Sequence, residues 1–147
     1  MNKAEAQAFN ERNIAEFRQS GGTITSFGDA PVLLLTTVGA RTGQPRTSPM
    51  MYMQDPADAN RVFVFASAAG ADRHPAWFHN LLAHPDQLTV EIGRETLQAR
   101  AEVLPEPERS DIYTKQAERY PGFAAYQKNT ERTIPVIALT LDRDVAA

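Results

Sequence analysis

"PVLLLTTVGARTGQPRTSPMMYM" (residues 31–53) sets two apolar segments on either side of a polar turn. The first segment, 31–38, is a continuous apolar run of strand length, which predicts a central strand. The second, 47–53, predicts another strand, in which Pro49 marks an edge, a bulge or an end because proline cannot donate to a sheet ladder. The hairpin turn between the two predicted strands carries Arg41, Thr42, Gly43 and Arg46.

More strand and helix patterns follow this hairpin at short intervals. Further strands are predicted at 61–67, 87–93, 96–104 and 133–141. Helices are predicted at 4–18, 74–85 and 106–120, with a shorter helical turn in "GFAAYQKNT". Because most strands follow one another through short connections, antiparallel pairing is favoured. The sequence therefore predicts an α+β fold of about six strands, with a small barrel closed by the late strand 133–141.

Length and composition indicate one domain with a single core. Hydrophobic residues make up 42% of the 147 residues and charged residues 22%, as in ordinary globular proteins. Within this domain we expect an N-terminal helix or arm at 1–22 and a barrel at 23–147. The net charge of −3 argues against nucleic acid as a partner, and the lack of cysteine excludes disulfides, thiolate nucleophiles and cysteine-ligated metals.

The N-terminal segment is too polar for a secretion signal, and no apolar stretch is long enough to span a membrane. We therefore expect a cytoplasmic protein. Helix 4–18 carries a narrow apolar stripe, which favours a helix lying on the domain surface. The alternative is a mobile arm that covers a site or makes peripheral contact with a membrane. The stripe consists of Ala6, Phe9, Ile14 and Phe17.

Several classes of chemistry lack their sequence signals. The Gly-x-Ser-x-Gly elbow of serine hydrolases is absent, as are dinucleotide-binding and Walker-type glycine loops. His74, His79 and His84 are each five residues apart, whereas a helical zinc site uses a spacing of four, so no metal is predicted. Paired-carboxylate chemistry stays open, although the aspartates concerned lie in predicted turns, where such residues are common. They are Asp55, Asp58 and Asp72.

Three segments remain as candidates for a binding pocket. "VGARTGQPR" offers two guanidiniums, a threonine hydroxyl and backbone N–H groups to a phosphate or carboxylate. A solvated hairpin is the alternative, and the spacing alone slightly favours it. "SAAGADRHPAWFHN" is a small-residue loop that carries Arg73 and leads into a helix, whose N-terminus favours an anion. On that helix Trp77 and Asn80 share a face, where Asn80 could be a satisfied polar group or hold a ligand or the loop.

The third segment, "YPGFAAYQKNTERTIPVI", places aromatic residues at steps of three. Tyr120, Phe123 and Tyr126 could pack one helical turn against the barrel, or they could wall a pocket for a flat, apolar substrate.

In this order, the three segments resemble the deazaflavin-dependent nitroreductase family. These actinobacterial proteins use coenzyme F-420 on a split β-barrel related to flavin mononucleotide-binding oxidases. The resemblance covers the chain from about residue 15 to its end. It implies hydride transfer from the reduced deazaflavin to a quinone, an enone-like ring or a nitroaromatic compound. Since the cofactor carries this chemistry, the protein mainly binds and orients.

The resemblance also implies roles for individual residues. The Gly-x-x-Thr-Gly-x-x-Arg turn would grip the phosphate and oligoglutamate tail, with Pro49 and Met51 along the deazaflavin. In the loop after the third strand the family usually has Ala-Ser-Lys-Gly-Gly, so this chain lacks the lysine and the first glycine, and Arg73 could supply the missing charge. The implied cofactor-binding residues are Arg41, Thr42, Gly43, Arg46, Pro49, Met51, Ser67, Ala68, Ala69, Gly70, Trp77 and Asn80.

On the acceptor side, the resemblance places Tyr120 and Tyr126 over the deazaflavin, with Phe123 where a tyrosine can occur. Ser67 and Tyr126 are candidate catalytic residues that polarise the acceptor or relay a proton, because a hydroxyl stabilises the negative charge that the acceptor gains. Two alternatives stay open: the same barrel using FMN, and a non-catalytic protein that binds or sequesters the deazaflavin. Related barrels are often dimers, which leaves a homodimer open.

Overall fold

The computed structural model describes residues 2–143 and confirms an α+β fold with a curled antiparallel sheet. Its strands are β1 (Val32–Val38), β2 (Pro45–Met51), β3 (Met53–Gln54), β4 (Arg61–Phe65), β5 (Leu88–Ile92), β6 (Glu95–Val103) and β7 (Val136–Leu141). Its helices are α1 (Lys3–Ser20), α2 (Ala76–Ala83), α3 (Glu108–Arg119) and α4 (Gly122–Lys128), with 3-10 turns at Thr25–Phe27 and Ala68–Gly70.

The order of the strands shows how the sheet curls into a barrel. It is β2-β1-β5-β6-β7-β4-β3, and every pair is antiparallel. β7 pairs with both β6 and β4, so the late strand joins the two halves of the sheet. β2 and β3 are the two edges of the sheet, yet only Tyr52 separates them in the chain. The bent segment 45–54 therefore brings the two edges of the sheet together. It contains both β2 and β3, where the sequence predicted a single strand at 47–53.

The predicted hairpin is confirmed, with a longer second strand. β2 begins at Pro45 rather than residue 47, and the pairing runs from Val38 opposite Pro45 to Val32 opposite Met51. The strand is interrupted at Tyr52, whose backbone N–H donates to the carbonyl of Pro31 over 3.1 Å. Pro49 is tolerated because β2 is an edge strand and needs ladder bonds on one side only.

The core explains why β1 is apolar without alternation. Leu33 and Leu35 face the barrel interior, whereas Val32 and Leu34 pack on the other side with Phe17 of α1. Because both faces of β1 are covered, every residue from 32 to 35 is buried. The interior is completed by residues from other elements: Val62, Val64, Phe78, Leu81, Leu88, Val90, Ile137 and Leu139.

α1 is attached to the barrel through its C-terminal half. Phe17 is 1% exposed, whereas Phe9 near the start of the helix is 36% exposed. Arg18 donates two hydrogen bonds to the carboxylate of Glu91, at 3.1 and 3.0 Å. The prediction of a helix that lies on the domain surface is therefore correct for the C-terminal half of α1. The separate arm at 1–22 stays a prediction, and within residues 2–143 no helix is long and apolar enough to cross a membrane.

The predicted strands 87–93 and 96–104 indicate a hairpin with its turn at Arg94 and Glu95, and the structure has this hairpin with the turn one residue earlier. Glu95 is already paired with Ile92, so the turn is Gly93 and Arg94 rather than Arg94 and Glu95. The reason is the backbone of Gly93, whose φ of 56° lies in the left-handed region that glycine adopts most readily.

Candidate functional site

The turn between β1 and β2 is held by its own backbone, and we call residues 39–46 the arginine turn. The N–H of Gly39 donates to the carbonyl of Gln44 at 2.8 Å, and the N–H of Gly43 donates to the carbonyl of Gly39 at 2.9 Å. The hydroxyl of Thr42 accepts from the N–H of Gln44 at 3.1 Å. A Cβ on Gly39 would lie 2.7 Å from this hydroxyl and 3.1 Å from the carbonyl oxygen of Gln44, so a larger residue there would require the turn to shift. Thr42 thus shapes the turn.

Arg41 and Arg46 project from the arginine turn into solvent. Both residues are exposed, and neither forms an ion pair with a carboxylate in the described part of the chain. Five other arginine–carboxylate contacts occur over the same residues, so carboxylates are not scarce on this surface. The two guanidiniums are therefore free to pair with a phosphate or carboxylate from outside the protein.

Asn80 of α2 fixes the arginine turn. Its Oδ1 accepts from the N–H of Ala40 at 2.9 Å, and its Nδ2 donates to Oγ1 of Thr37 at 3.3 Å. The sequence left several roles open for Asn80, and in the structure its side chain binds the loop between β1 and β2. Trp77, one turn earlier, is half-buried, and its ring lies edge-on to Phe78 with 6.4 Å between centroids.

β2 leads away from the arginine turn along the sheet edge. Pro49 and Met51 share one face of this strand, because alternate residues point the same way, whereas Arg46 starts from the opposite face. Met51 is half-buried and packs against two of the apolar clusters. The seven residues of β2 span about 20 Å, and Met51 at its far end lies five residues, or about 17 Å, beyond Arg46.

The loop after β4 has a left-handed backbone at three successive residues, and we call residues 67–71 the small-residue loop. Ala68, Ala69 and Gly70 have φ values of 46°, 54° and 83°. This conformation is costly for alanine, and such strain is concentrated at functional sites. A Cβ on Gly70 would lie 2.9 Å from the carbonyl oxygen of Tyr126, so the loop packs directly on α4.

Arg132 binds backbone carbonyls in and beside the small-residue loop. Its guanidinium donates to the carbonyls of Ala66 at 3.1 Å, Ser67 at 2.8 Å and Ala71 at 2.8 Å. A fourth contact, at 3.0 Å, reaches Nδ1 of His74. Sequence reasoning missed this residue, because an arginine ahead of a buried strand resembles any surface charge and its partners are backbone carbonyls. Burial, together with the charge of Arg132 and nearby His79, lowers the pKa of His74.

The aromatic residues at steps of three have different environments. Phe123 is 7% exposed, so its side chain packs against the barrel. Its ring contacts those of Phe65, Tyr113 and Tyr126. The hydroxyl of Tyr113 donates to the carbonyl of Phe123 at 2.6 Å, and burial raises the pKa of Tyr113 to about 12. Tyr120 instead lines a cavity of about 170 Å³.

The two candidate catalytic hydroxyls lie on neighbouring segments. Tyr126 is half-buried on α4, directly against the small-residue loop that contains Ser67. The structure brings these segments together through Gly70, and over residues 2–143 it contains no hydrogen bond between the two hydroxyls. The hydroxyls of Ser67 and Tyr126 therefore do not hold each other in a fixed orientation.

The comparison with known proteins agrees with this architecture. The family model described as F420H(2)-dependent quinone reductase matches residues 10–141. The F420H(2)-dependent quinone reductase of Mycobacterium tuberculosis strain H37Rv is 37% identical over 120 residues, which cover 77% of this chain and 75% of that protein.

Two solved structures share both the fold and a third of the sequence. An F420-H2 dependent reductase (FDR-A) has a TM-score of 0.65 and 34% identity, over 74% of this chain and 93% of that one. A chain described as a domain-swapped dimer has a TM-score of 0.67 and 32% identity, over 88% of this chain and 94% of that one. The predicted split barrel and family resemblance are confirmed, and the chain belongs to the F420H(2)-dependent quinone reductase family.

Proposed function

We propose that this protein binds coenzyme F-420 and catalyses hydride transfer from its reduced deazaflavin to a quinone, with enones and nitroaromatic compounds as further acceptors. The observation that carries this proposal is the arginine turn. It offers two guanidiniums without carboxylate partners in the described residues, on a backbone that Asn80 holds in place. Membership of the family, and the names of the relatives, support the choice of coenzyme.

The donor set fits a coenzyme that ends in several negative charges. Arg41 and Arg46 would bind the phosphate and oligoglutamate tail through charge-assisted hydrogen bonds. Arg73 is exposed and free of ion pairs within residues 2–143, so it can replace the lysine that this chain lacks at Ala68. No carboxylate occurs between residues 30 and 54 to oppose such a ligand.

The remaining residues orient the ring and the acceptor. When bound, the coenzyme supplies the hydride. Pro49 and Met51 form the apolar face of the edge strand and would hold the flat ring, and Trp77 would flank it. The hydroxyls of Ser67 and Tyr126 donate to the oxygen of the acceptor as it gains negative charge. The small, exposed side chains of Ala68 and Ala69 would allow the ligand to approach the backbone closely at this point.

Two further features of the proposal concern assembly and location. A homodimer is supported by the relative that is described as a domain-swapped dimer. Peripheral membrane contact through residues 4–18 is supported by Phe9, an exposed aromatic side chain on the half of α1 that does not pack into the barrel. Such a contact would place the enzyme beside lipid-soluble quinones.

The test is a titration of F-420 that follows the fluorescence of the coenzyme. We expect binding by the wild-type protein, and Arg46→Ala should weaken it about tenfold through the loss of one charge-assisted pair. Arg100→Ala is the matched control, since Arg100 is exposed on β6 and distant from the turn. Reduced F-420 should then be oxidised on addition of menadione.

Three results would contradict the proposal in different ways. A protein purified with the visible spectrum of a flavin would indicate FMN as its coenzyme. F-420 binding without turnover of any quinone or nitro compound would indicate a carrier. An absence of F-420 binding at tens of micromolar would remove the proposal altogether.

A further inference from the structure

A small cavity lies where the bend between β2 and β3 meets the C-terminal end of α3. Its volume is about 170 Å³, and we call it the Gln116 cavity. Its walls include Pro31, Tyr52, Met53, Gln116, Arg119 and Tyr120. Sequence reasoning singled out only Tyr120 among these residues.

Gln116 is unusual among the residues that line this cavity. It is 1% exposed, and its Nε2 has no hydrogen-bond partner in the described part of the chain. A buried donor without an acceptor is destabilising, so native proteins rarely retain one without a reason. Leucine has a similar size and would fill this position of α3 without that cost. A glutamine is explained if its amide binds an acceptor atom that comes from outside the protein.

The rest of α3 shows that an unpartnered donor is not a general property of this helix. Tyr113, one turn earlier, is also buried, and its hydroxyl donates to the carbonyl of Phe123 at 2.6 Å. The terminal amide of glutamine rotates over a broad range of angles. Nε2 can therefore turn towards a ligand in the cavity without movement of the helix.

The walls of the Gln116 cavity suit a flat ring that carries an oxygen. Tyr120 supplies half-buried aromatic surface and Met53 supplies apolar surface, whereas the side chain of Tyr52 packs against the barrel interior. Arg119 lies at the rim, with its guanidinium 5.8 Å from the centre of the Tyr120 ring. The lining contains no carboxylate. The cavity thus combines one aromatic wall with the amide donor of Gln116 and a cation.

The Gln116 cavity lies beside the end of β2 that is opposite the arginine turn, where an acceptor could react. The arginine turn lies at one end of this strand and Tyr52 follows the other, with Pro49 and Met51 between them. Over about 20 Å the strand thus connects the anion-binding end to the cavity. A quinone has two carbonyl oxygens, so one donor in the cavity leaves the other oxygen for a hydroxyl of the catalytic pair.

We propose that Gln116 is a specificity-determining residue whose Nε2 donates a hydrogen bond to a carbonyl oxygen of the quinone acceptor, with the ring against Tyr120 and Met53. This inference rests on the proposed function for the identity of the acceptor. It adds a residue, and a place in the fold, for acceptor recognition.

The experiment uses the full chain without coenzyme and follows the side-chain amide of Gln116 by ¹H–¹⁵N NMR. The signal is assigned as the glutamine pair that is missing in Gln116→Leu. Menadione should move one proton of this pair downfield in the wild-type protein, as a hydrogen bond to its carbonyl oxygen does. The matched compound 2-methylnaphthalene has the same fused rings and no carbonyl oxygen, so it should not cause this downfield shift.

Stability and kinetics of the same variants separate a ligand role from a structural one. Gln116→Leu should unfold at the same temperature as the wild-type protein or above it, because it removes an unpartnered buried donor. It should nevertheless raise the KM for menadione about tenfold, with little change in F-420 binding. Gln98→Leu, a change of exposed glutamine on β6, should alter none of these quantities.

Each of three results would overturn the proposal. They are a fall in the unfolding temperature of Gln116→Leu, an unchanged KM for menadione in this variant, and an amide signal that does not shift when menadione is added. Failure of the proposed function is a different result: F-420 would not bind the wild-type protein. The NMR titration contains no coenzyme and reports on the cavity in either case.

Discussion

Arg132 donates a guanidinium N–H to Nδ1 of His74 across 3.0 Å. Arginine has no acceptor, so Nδ1 must present its lone pair, and His74 is neutral with its proton on Nε2. The other contacts of this guanidinium are the carbonyls around the small-residue loop. The protonation state of one histidine is thereby linked to the part of the chain where the catalytic Ser67 is proposed.

The first prediction concerns pH. The pKa of His74 is lowered on folding, so between its folded and unfolded pKa values the unfolded chain binds more protons and the free energy of unfolding rises with pH. The contribution is complete above about pH 6.5, the ordinary histidine value, and is lost as the pH falls towards the folded pKa. Urea denaturation at several pH values between these limits measures the slope.

The control for this prediction is a second histidine. His74→Gln should flatten the pH dependence, since it removes the titration and keeps an oxygen that accepts from Arg132. His84→Gln should leave the slope as it is, because His84 takes no part in the Arg132 contacts. An equal slope in the wild-type protein and His74→Gln would show that other groups cause it.

The second prediction concerns Arg132 itself. Arg132→Leu leaves three carbonyls and a histidine nitrogen without their donor, and we expect a loss of about 3 kcal/mol in the free energy of unfolding. Arg132→Lys should recover part of this loss, since an ammonium reaches fewer of the four acceptors. Arg100→Leu on the exposed face of β6 should change the value by less than about 0.5 kcal/mol.

The third prediction tests the contact between the small-residue loop and α4. Gly70→Ala introduces a Cβ 2.9 Å from the carbonyl oxygen of Tyr126, in addition to the strain of a left-handed residue. Gly43→Ala is the matched control, with a φ of 70° and no atom within 4 Å of the added Cβ. We expect about 1 kcal/mol for Gly43→Ala and about 2–4 kcal/mol for Gly70→Ala in urea denaturation. Equal losses would mean that the loop does not pack tightly on Tyr126.

Local patterns predicted the elements of this fold because each depends on neighbouring residues. The apolar run 31–38 and the turn chemistry of Gly39 and Gly43 act over a few positions, so the hairpin could be read directly. The roles of Arg132 and Gln116 depend on what lies beside them in space. A carbonyl acceptor 66 residues away, or the lack of any acceptor, leaves no mark in the sequence around either residue.

Phe123 shows the same limit at an aromatic residue. Steps of three along a short helix place side chains on one face, and this spacing is the same for a packed face and for a pocket wall. Only the edge-on contacts with Phe65 and Tyr113 show that Phe123 belongs to the core, while Tyr120 lines a cavity.

The last prediction concerns Asn80 and separates the shape of the arginine turn from its charge. Asn80→Leu removes the acceptor for the N–H of Ala40 and the donor to Thr37, and should cost about 1–3 kcal/mol in the free energy of unfolding. F-420 binding should weaken about tenfold, because the turn loses its fixed position. Asn10→Leu on the exposed side of α1 is the control and should affect neither quantity.

Asn80→Asp completes this test, since the carboxylate still accepts from Ala40 but adds a negative charge beside the arginine turn. If the turn binds the anionic tail of the coenzyme, this variant should be more stable than Asn80→Leu and yet bind F-420 less tightly than the wild-type protein. The difference in binding should also shrink at high salt, because salt screens charges near the surface. Binding as tight as that of the wild-type protein would show that the tail lies elsewhere, since a new charge next to Arg41 must oppose an anion held there.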